Sequence, residues 1–214
     1  MINKRLLMGI LVIGSSWGLL EAVMGSVFKS ANLPYGVIMT AVFALPILVL
    51  SKMTFSQRGT QTGIGLVAGS LAFFNPWVGC SICSAIAIAA EGLVFEIIWT
   101  KIHTIDLEQM NLLNKASLGV ISAFSVYVSG YIITQIITPM LYGNFIITNL
   151  LVALPQILAQ GLPAALLGVA TVPALLYTQK LHITIKDKLY YPTGAAITTL
   201  CWLFVVGNWL IFIV

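Results

Sequence analysis

The sequence predicts an all-α fold: a polytopic membrane helical bundle with about seven transmembrane helices. Of its 214 residues, 59% are hydrophobic and only 7% are charged. Soluble domains carry about 25% charged residues, so this chain has too few polar side chains to cover a surface in water. Its apolar residues also form long segments, and its basic residues lie between those segments. We therefore expect one integral membrane domain over residues 1–214, in contact with a lipid bilayer.

Seven apolar segments follow one another along the chain. The first begins after Lys4 and Arg5 and is similar to the start of a signal peptide, but no clean cleavage site follows it, so we expect an uncleaved span. The third is short, and Asn75, Pro76 and Gly79 should end its helix. The predicted spans are 5–28, 36–51, 60–74, 80–101, 116–139, 145–178 and 192–214.

The basic residues predict the orientation of these spans. If the N-terminus is cytoplasmic, nine of the ten Lys and Arg residues lie on the cytoplasmic side, and only Lys29 lies outside. This distribution follows the positive-inside rule and favours an odd number of crossings. It also explains the formal charge of +4 without any binding of nucleic acid. The nine are Lys4, Arg5, Lys52, Arg58, Lys101, Lys115, Lys180, Lys186 and Lys188.

We therefore predict a multi-pass protein of the cell membrane with a cytoplasmic N-terminus and an external C-terminus. A reporter fused after Val214 tests this orientation. An enzyme that is active only outside the cytoplasm should be active there, and a fluorescent protein that folds only in the cytoplasm should stay dark. A fluorescent fusion at that position would contradict the prediction of seven spans.

Three of the six acidic residues, Glu21, Glu91 and Glu96, lie inside predicted spans. A charge at the centre of a bilayer costs about 2.5–3.5 kcal/mol, so such residues usually face the interior of a bundle or a cavity. Glu21 and Glu91 each share a helical face with small residues. Either they line a ligand cavity, or they form hydrogen bonds across a tight pair of helices. Glu96 lies near the predicted cytoplasmic end of its span and could extend toward water.

Polar side chains on the fifth and sixth spans could complete a cavity with the two central acids. Such a cavity would suit a small polar or amphipathic ligand, with Trp17 and Trp77 as aromatic walls. The candidate ligand-binding residues are Glu21, Glu91, Trp17, Tyr131, Gln156 and Gln160.

The pair Cys80 and Cys83 could form a redox site or half of a metal site. No second cysteine pair and no neighbouring histidine completes a metal site, because His103 and His182 fall in predicted cytoplasmic loops. The simpler interpretation is two small side chains in a helix. We expect no metal, no cofactor and no catalytic residue.

The architecture of residues 1–190 resembles the substrate-binding S components of energy-coupling factor transporters. The similarity lies in a cytoplasmic start, a Pro-Gly break before the fourth helix, and the late helix "LPQILAQGLPAALLGVATVPALLYTQK", which ends in basic residues. It implies a six-helix core, to which this chain adds one helix. It also implies a vitamin or a metal-related micronutrient as substrate. The implied partners are a transmembrane coupling protein and two ATPases, docked through a small-x-x-x-small pattern whose nearest match is Gly14 and Gly18.

The resemblance implies a membrane-embedded substrate-binding subunit of a small-molecule importer, which is not an enzyme. Two other functions are compatible with the sequence. A secondary carrier or channel would work by itself, coupled to protons through an intramembrane Glu. A membrane thiol redox protein would use Cys80 and Cys83.

Overall fold

The computed structural model describes residues 4–77, 79–102, 110–178 and 187–213, and all of its regular structure is helical. The predicted all-α bundle is confirmed over these ranges. His103 and His182, which fall in predicted cytoplasmic loops, lie outside the described residues. The described helices are α1 (Lys4–Ser30), α2 (Tyr35–Thr54), α3 (Thr60–Phe73), α4 (Ser81–Ile102), α5 (Leu112–Leu141), α6 (Ile147–Thr178) and α7 (Asp187–Ile213).

Six of these helices are long and apolar enough to cross a membrane, and α3 is the exception. It has 14 residues, which corresponds to about 21 Å, whereas the hydrocarbon core of a bilayer is about 30 Å thick. As predicted, it ends before Asn75 and Pro76. The side chain of Asn75 accepts a hydrogen bond from the backbone N–H of Trp77 at 3.0 Å, which stabilises the turn after the helix. Whether α3 is a complete crossing stays a prediction.

Close contacts at glycine show how α1 packs. A Cβ atom added to Gly14 would lie 2.8 Å from the carbonyl oxygen of Ile64, and one added to Gly18 would lie 2.9 Å from that of Ala68. Both carbonyls belong to α3, which therefore runs parallel to α1. Gly14 and Gly18 are buried inside the chain, where α3 already occupies their surface. The prediction that these two glycines dock a partner protein is therefore wrong for this structure.

The first and last helices also run in the same direction. Tyr190, near the start of α7, donates a hydrogen bond of 3.0 Å to the carbonyl of Arg5, near the start of α1. Further along both helices, Trp202 donates to the hydroxyl of Ser15 at 3.0 Å. The start of α1 and the end of α7 therefore lie at opposite ends of the bundle. Which of these ends faces the cytoplasm stays a prediction.

A buried ion pair joins α2, α3 and α4 at the end of the bundle where α1 begins. Lys52 Nζ lies 3.3 Å from Glu96 Oε1, and the two side chains are only 6% and 9% exposed. Glu96 Oε2 also accepts a hydrogen bond of 2.9 Å from the backbone N–H of Gln61, in the first turn of α3. The expectation that Glu96 extends toward water is thus wrong. Its carboxylate contacts α2 and α3 instead, through Lys52 and Gln61.

Candidate functional site

A cavity of about 310 Å³ lies between α1, α2, α4 and α5. It occupies the half of the bundle toward which α1 runs, at what we call the cavity end. Its volume is at the lower end of the roughly 300–1,000 Å³ typical of small-molecule sites. It is lined by Glu21, Lys29, Tyr35, Gly36, Met39, Thr40, Gly79, Cys80, Cys83, Ser84, Ala87, Ile88, Glu91, Tyr131 and Thr134.

Glu91 is the most enclosed acid of this cavity. It lies on α4 and is only 5% exposed. Its Oε1 accepts a hydrogen bond of 2.6 Å from the hydroxyl of Thr40 on α2. Its Oε2 is buried and has no hydrogen-bond partner among the described residues. A buried polar atom without a partner costs about 1–3 kcal/mol, and more when it is charged. A hydrogen-bond donor from outside the described residues would therefore stabilise this oxygen.

Glu21 approaches the same cavity from α1, and Trp17 orients it. The indole Nε1 of Trp17, one helical turn earlier, donates to Glu21 Oε1 at 3.2 Å. The ring of Trp17 is completely buried in the core, so it does not line the cavity as predicted but acts through Glu21. The structure thus brings the two central acids of the sequence to one site, from two different helices.

Thr40 donates to Glu91 from an irregular part of α2. Met39–Ala44 form a segment of π-helix, and both Met39 and Thr40 line the cavity. Pro46 provides a physical reason, because its ring clashes with the carbonyl oxygen four residues earlier and it has no N–H to donate. The turn before Pro46 is widened into a π-helical turn. Such turns often occur at functional sites. Thr40 does not stand out in the sequence, and Pro46 is the signal that could have indicated an irregular helix there.

Tyr131 forms the α5 wall of the cavity, as predicted. Its ring packs against Tyr127, with 4.6 Å between the ring centroids, and its hydroxyl group contacts Gly36 at the start of α2. Tyr127 donates a hydrogen bond of 2.8 Å to the side-chain oxygen of Gln160 on α6. Gln160 therefore supports this wall from behind and does not line the cavity.

Two other predicted residues lie away from the cavity. Gln156 is exposed on α6, and it is not among the lining residues. Trp77 packs against α7, with its ring centroid 6.4 Å from that of Phe204 and 6.2 Å from that of Phe212. Helical periodicity gave the correct faces of α1, α4 and α5. It could not show that Gln156 and Trp77 face away from the cavity.

The mouth of the cavity is formed by Lys29 and by the start of α4. Lys29 is exposed near the end of α1, and its Nζ would lie 3.5 Å from a Cβ atom added to Gly79. Next to it, Cys80 and Cys83 form a disulfide across the first turn of α4, with their Cα atoms 5.3 Å apart. The interpretation of these cysteines as two unlinked small side chains is therefore wrong. Lys29 was noted in the sequence only as the one basic residue on the predicted outer side.

We predict that replacing both Cys80 and Cys83 by Ser leaves folding and transport close to normal. The disulfide joins residues three positions apart, which the helical turn already holds close together. Ser has nearly the same size as Cys, so it should keep the shape of the mouth. Size-exclusion chromatography and thermal unfolding of the purified double variant measure the effect. Complete loss of transport in a variant that folds normally would favour the thiol redox function.

Comparisons of this chain with protein-family models, with curated proteins and with solved structures found no match.

Proposed function

We propose that this chain captures a small molecule with a positively charged group, as the substrate-binding subunit of a membrane importer. The observation that carries the proposal is the buried carboxylate of Glu91, whose Oε2 has no partner among the described residues although Glu91 lines a cavity. An ammonium group or a comparable N–H donor would supply the missing hydrogen bond and balance the charge. Glu21, which lines the same cavity from α1, would add a second acceptor.

The packing of the bundle favours capture over conduction. The cavity occupies one half of the bundle, and a cluster of buried apolar side chains fills much of the other half. A capture protein needs a site that opens to one side, whereas a channel needs a wet path to both sides. Members of this cluster are Leu45, Leu48, Ile64, Phe95, Trp99, Val126 and Leu176.

The role as an importer subunit rests on the architectural resemblance to the S components. In this proposal the cavity end faces outward, as the distribution of basic residues predicts, and the ligand enters from outside the cell. A transmembrane coupling protein and two ATPases would then drive its release to the cytoplasm.

Native mass spectrometry of gently purified protein tests the proposal. We expect a retained small molecule that contains a basic nitrogen, in a ratio of one to one, together with a retained membrane partner. The Glu91→Gln variant should lose the small molecule and keep the partner, because the charge of the cavity is removed while the surface of the bundle is unchanged.

A protein that carries neither a ligand nor a partner would contradict the proposal. Uptake by this chain alone in proteoliposomes, driven by a pH gradient, would favour a proton-coupled carrier instead. A matched preparation of Glu91→Gln in the same liposomes is the control for that uptake, since a proton carrier that works through Glu91 would stop.

A further inference from the structure

The charges that line the cavity have opposite signs at its two ends. Glu21 and Glu91 lie at the inner end, and Lys29 lies at the mouth. Lys29 follows Glu21 by eight residues on α1, which corresponds to about 12 Å along the helix axis. Helical side chains point back toward the start of their helix, so the side chain of Lys29 extends over the cavity and not away from it.

Lys29 has no carboxylate partner among the residues that the structure describes, where the ion pair is that of Lys52 with Glu96. The first turn of α4 lies at the same rim, because Gly79, Cys80 and Cys83 line the mouth together with Lys29. The start of an α-helix carries a partial positive charge from its free N–H groups. Two separate sources of positive potential therefore act on whatever occupies the mouth.

Between these ends the cavity is lined by uncharged side chains. Met39, Ala87, Ile88 and the ring of Tyr131 can contact an apolar chain, and the hydroxyl-bearing residues Ser84 and Thr134 lie beside them. The sequence of environments from the inner end to the mouth is thus acidic, uncharged and basic. A ligand that matches all three carries its positive group first, then an uncharged segment, then a negative group.

We propose that the ligand is a zwitterion whose ammonium group and anionic group are separated by several bonds. The ammonium group enters first and binds Glu21 and Glu91, while Lys29 and the first turn of α4 hold the anionic group at the mouth. This inference rests on the proposed function, because it specifies the ligand class of the same site. A simple amine would leave Lys29 unpaired, a diamine would be repelled by Lys29, and an α-amino acid is too short to reach both ends.

A series of compounds with six carbon atoms tests this inference on the full chain in detergent. The probes are ε-aminocaproate, its isomer norleucine, hexylamine, caproate and hexamethylenediamine, and isothermal titration calorimetry measures their affinities. We expect ε-aminocaproate to bind at least tenfold more tightly than each of the others. Norleucine is the most stringent comparison, since it has the same atoms and the same net charge but adjacent charged groups.

The variant Lys29→Gln gives the second measurement. It should lower the affinity for ε-aminocaproate about tenfold and leave that for hexylamine unchanged or slightly higher. Lys115→Gln is the matched control, because Lys115 lies in the first turn of α5, at the opposite end of the bundle, where its ammonium group stacks on Tyr177. It should leave both affinities unchanged.

The outcomes separate this inference from the proposed function. Hexylamine could bind as tightly as ε-aminocaproate, with an affinity that falls in Glu91→Gln and is unchanged in Lys29→Gln. The zwitterion proposal would then be wrong, and the capture of a cation would stand. If none of the amines binds, or if caproate binds best, both proposals are overturned.

Discussion

Replacing Glu91 by Gln is expected to weaken the binding of ε-aminocaproate and of hexylamine by tenfold to a thousandfold. The amide keeps the shape of the side chain and can still accept the hydrogen bond from Thr40. It removes the negative charge that would face the ammonium group and replaces Oε2, an acceptor, by an N–H donor. A charged pair shielded from water is worth a few kcal/mol, which gives this range of affinities. Titration calorimetry on the purified variant measures the loss.

Glu21→Gln should act in the same direction. Trp17 would still donate to the side-chain oxygen of the new amide, so the change tests charge and not orientation. Ser84→Ala is the matched control, because Ser84 lines the same cavity on the face of Glu91 but carries no charge. Both acidic variants should elute as single symmetrical peaks in size-exclusion chromatography. Unchanged affinity in both would leave the two acids as packing residues that tie helices together.

The second large effect is expected on stability, at the other end of the bundle. Glu96→Gln should lower the free energy of unfolding by about 3–5 kcal/mol, because the ammonium group of Lys52 would stay buried without its counter-charge. The backbone N–H of Gln61 would keep an acceptor in the amide oxygen, so the loss reports on the contact with Lys52, which would face an N–H donor instead of a carboxylate oxygen. Thermal or denaturant unfolding of the purified protein measures it.

The double variant Lys52→Met with Glu96→Gln tests whether the loss of stability comes from an unpaired buried charge. Removing both charges should recover much of the lost stability, since no unpaired charge then remains at this site. Lys29→Gln is the control, because Lys29 is exposed and removing its charge should change stability little. If Glu96→Gln melts like the unchanged protein, the ion pair does not hold α2, α3 and α4 together.

Features that depend on neighbouring residues in the sequence were predictable. The apolar composition predicts a helical membrane bundle because a chain in lipid must satisfy its backbone hydrogen bonds within helices. The end of α3 at Phe73 follows from Asn75 and Pro76, which act on the helix directly before them. Glu21 and Glu91 were identified because a charge in the membrane is costly wherever it lies, so its presence alone indicates a buried role.

The partners of these residues depend on the rotation and order of the helices, which no local pattern contains. Gly14 and Gly18 could have faced another protein, and only packing places them against α3. In the same way, Thr40 donates to Glu91, which lies 51 positions later in the chain. Thr40 belongs to a π-helical turn that periodicity does not predict.

Composition and local patterns were thus enough to predict a helical membrane protein with acids in its interior. The tertiary structure alone decided that Glu21, Glu91 and Lys29 share one cavity, that Glu96 pairs with Lys52, and that Gln156 is exposed. Periodicity and helix-ending residues report only on residues within one or two helical turns of each other. The geometry of a site depends instead on contacts between helices that are distant in the chain.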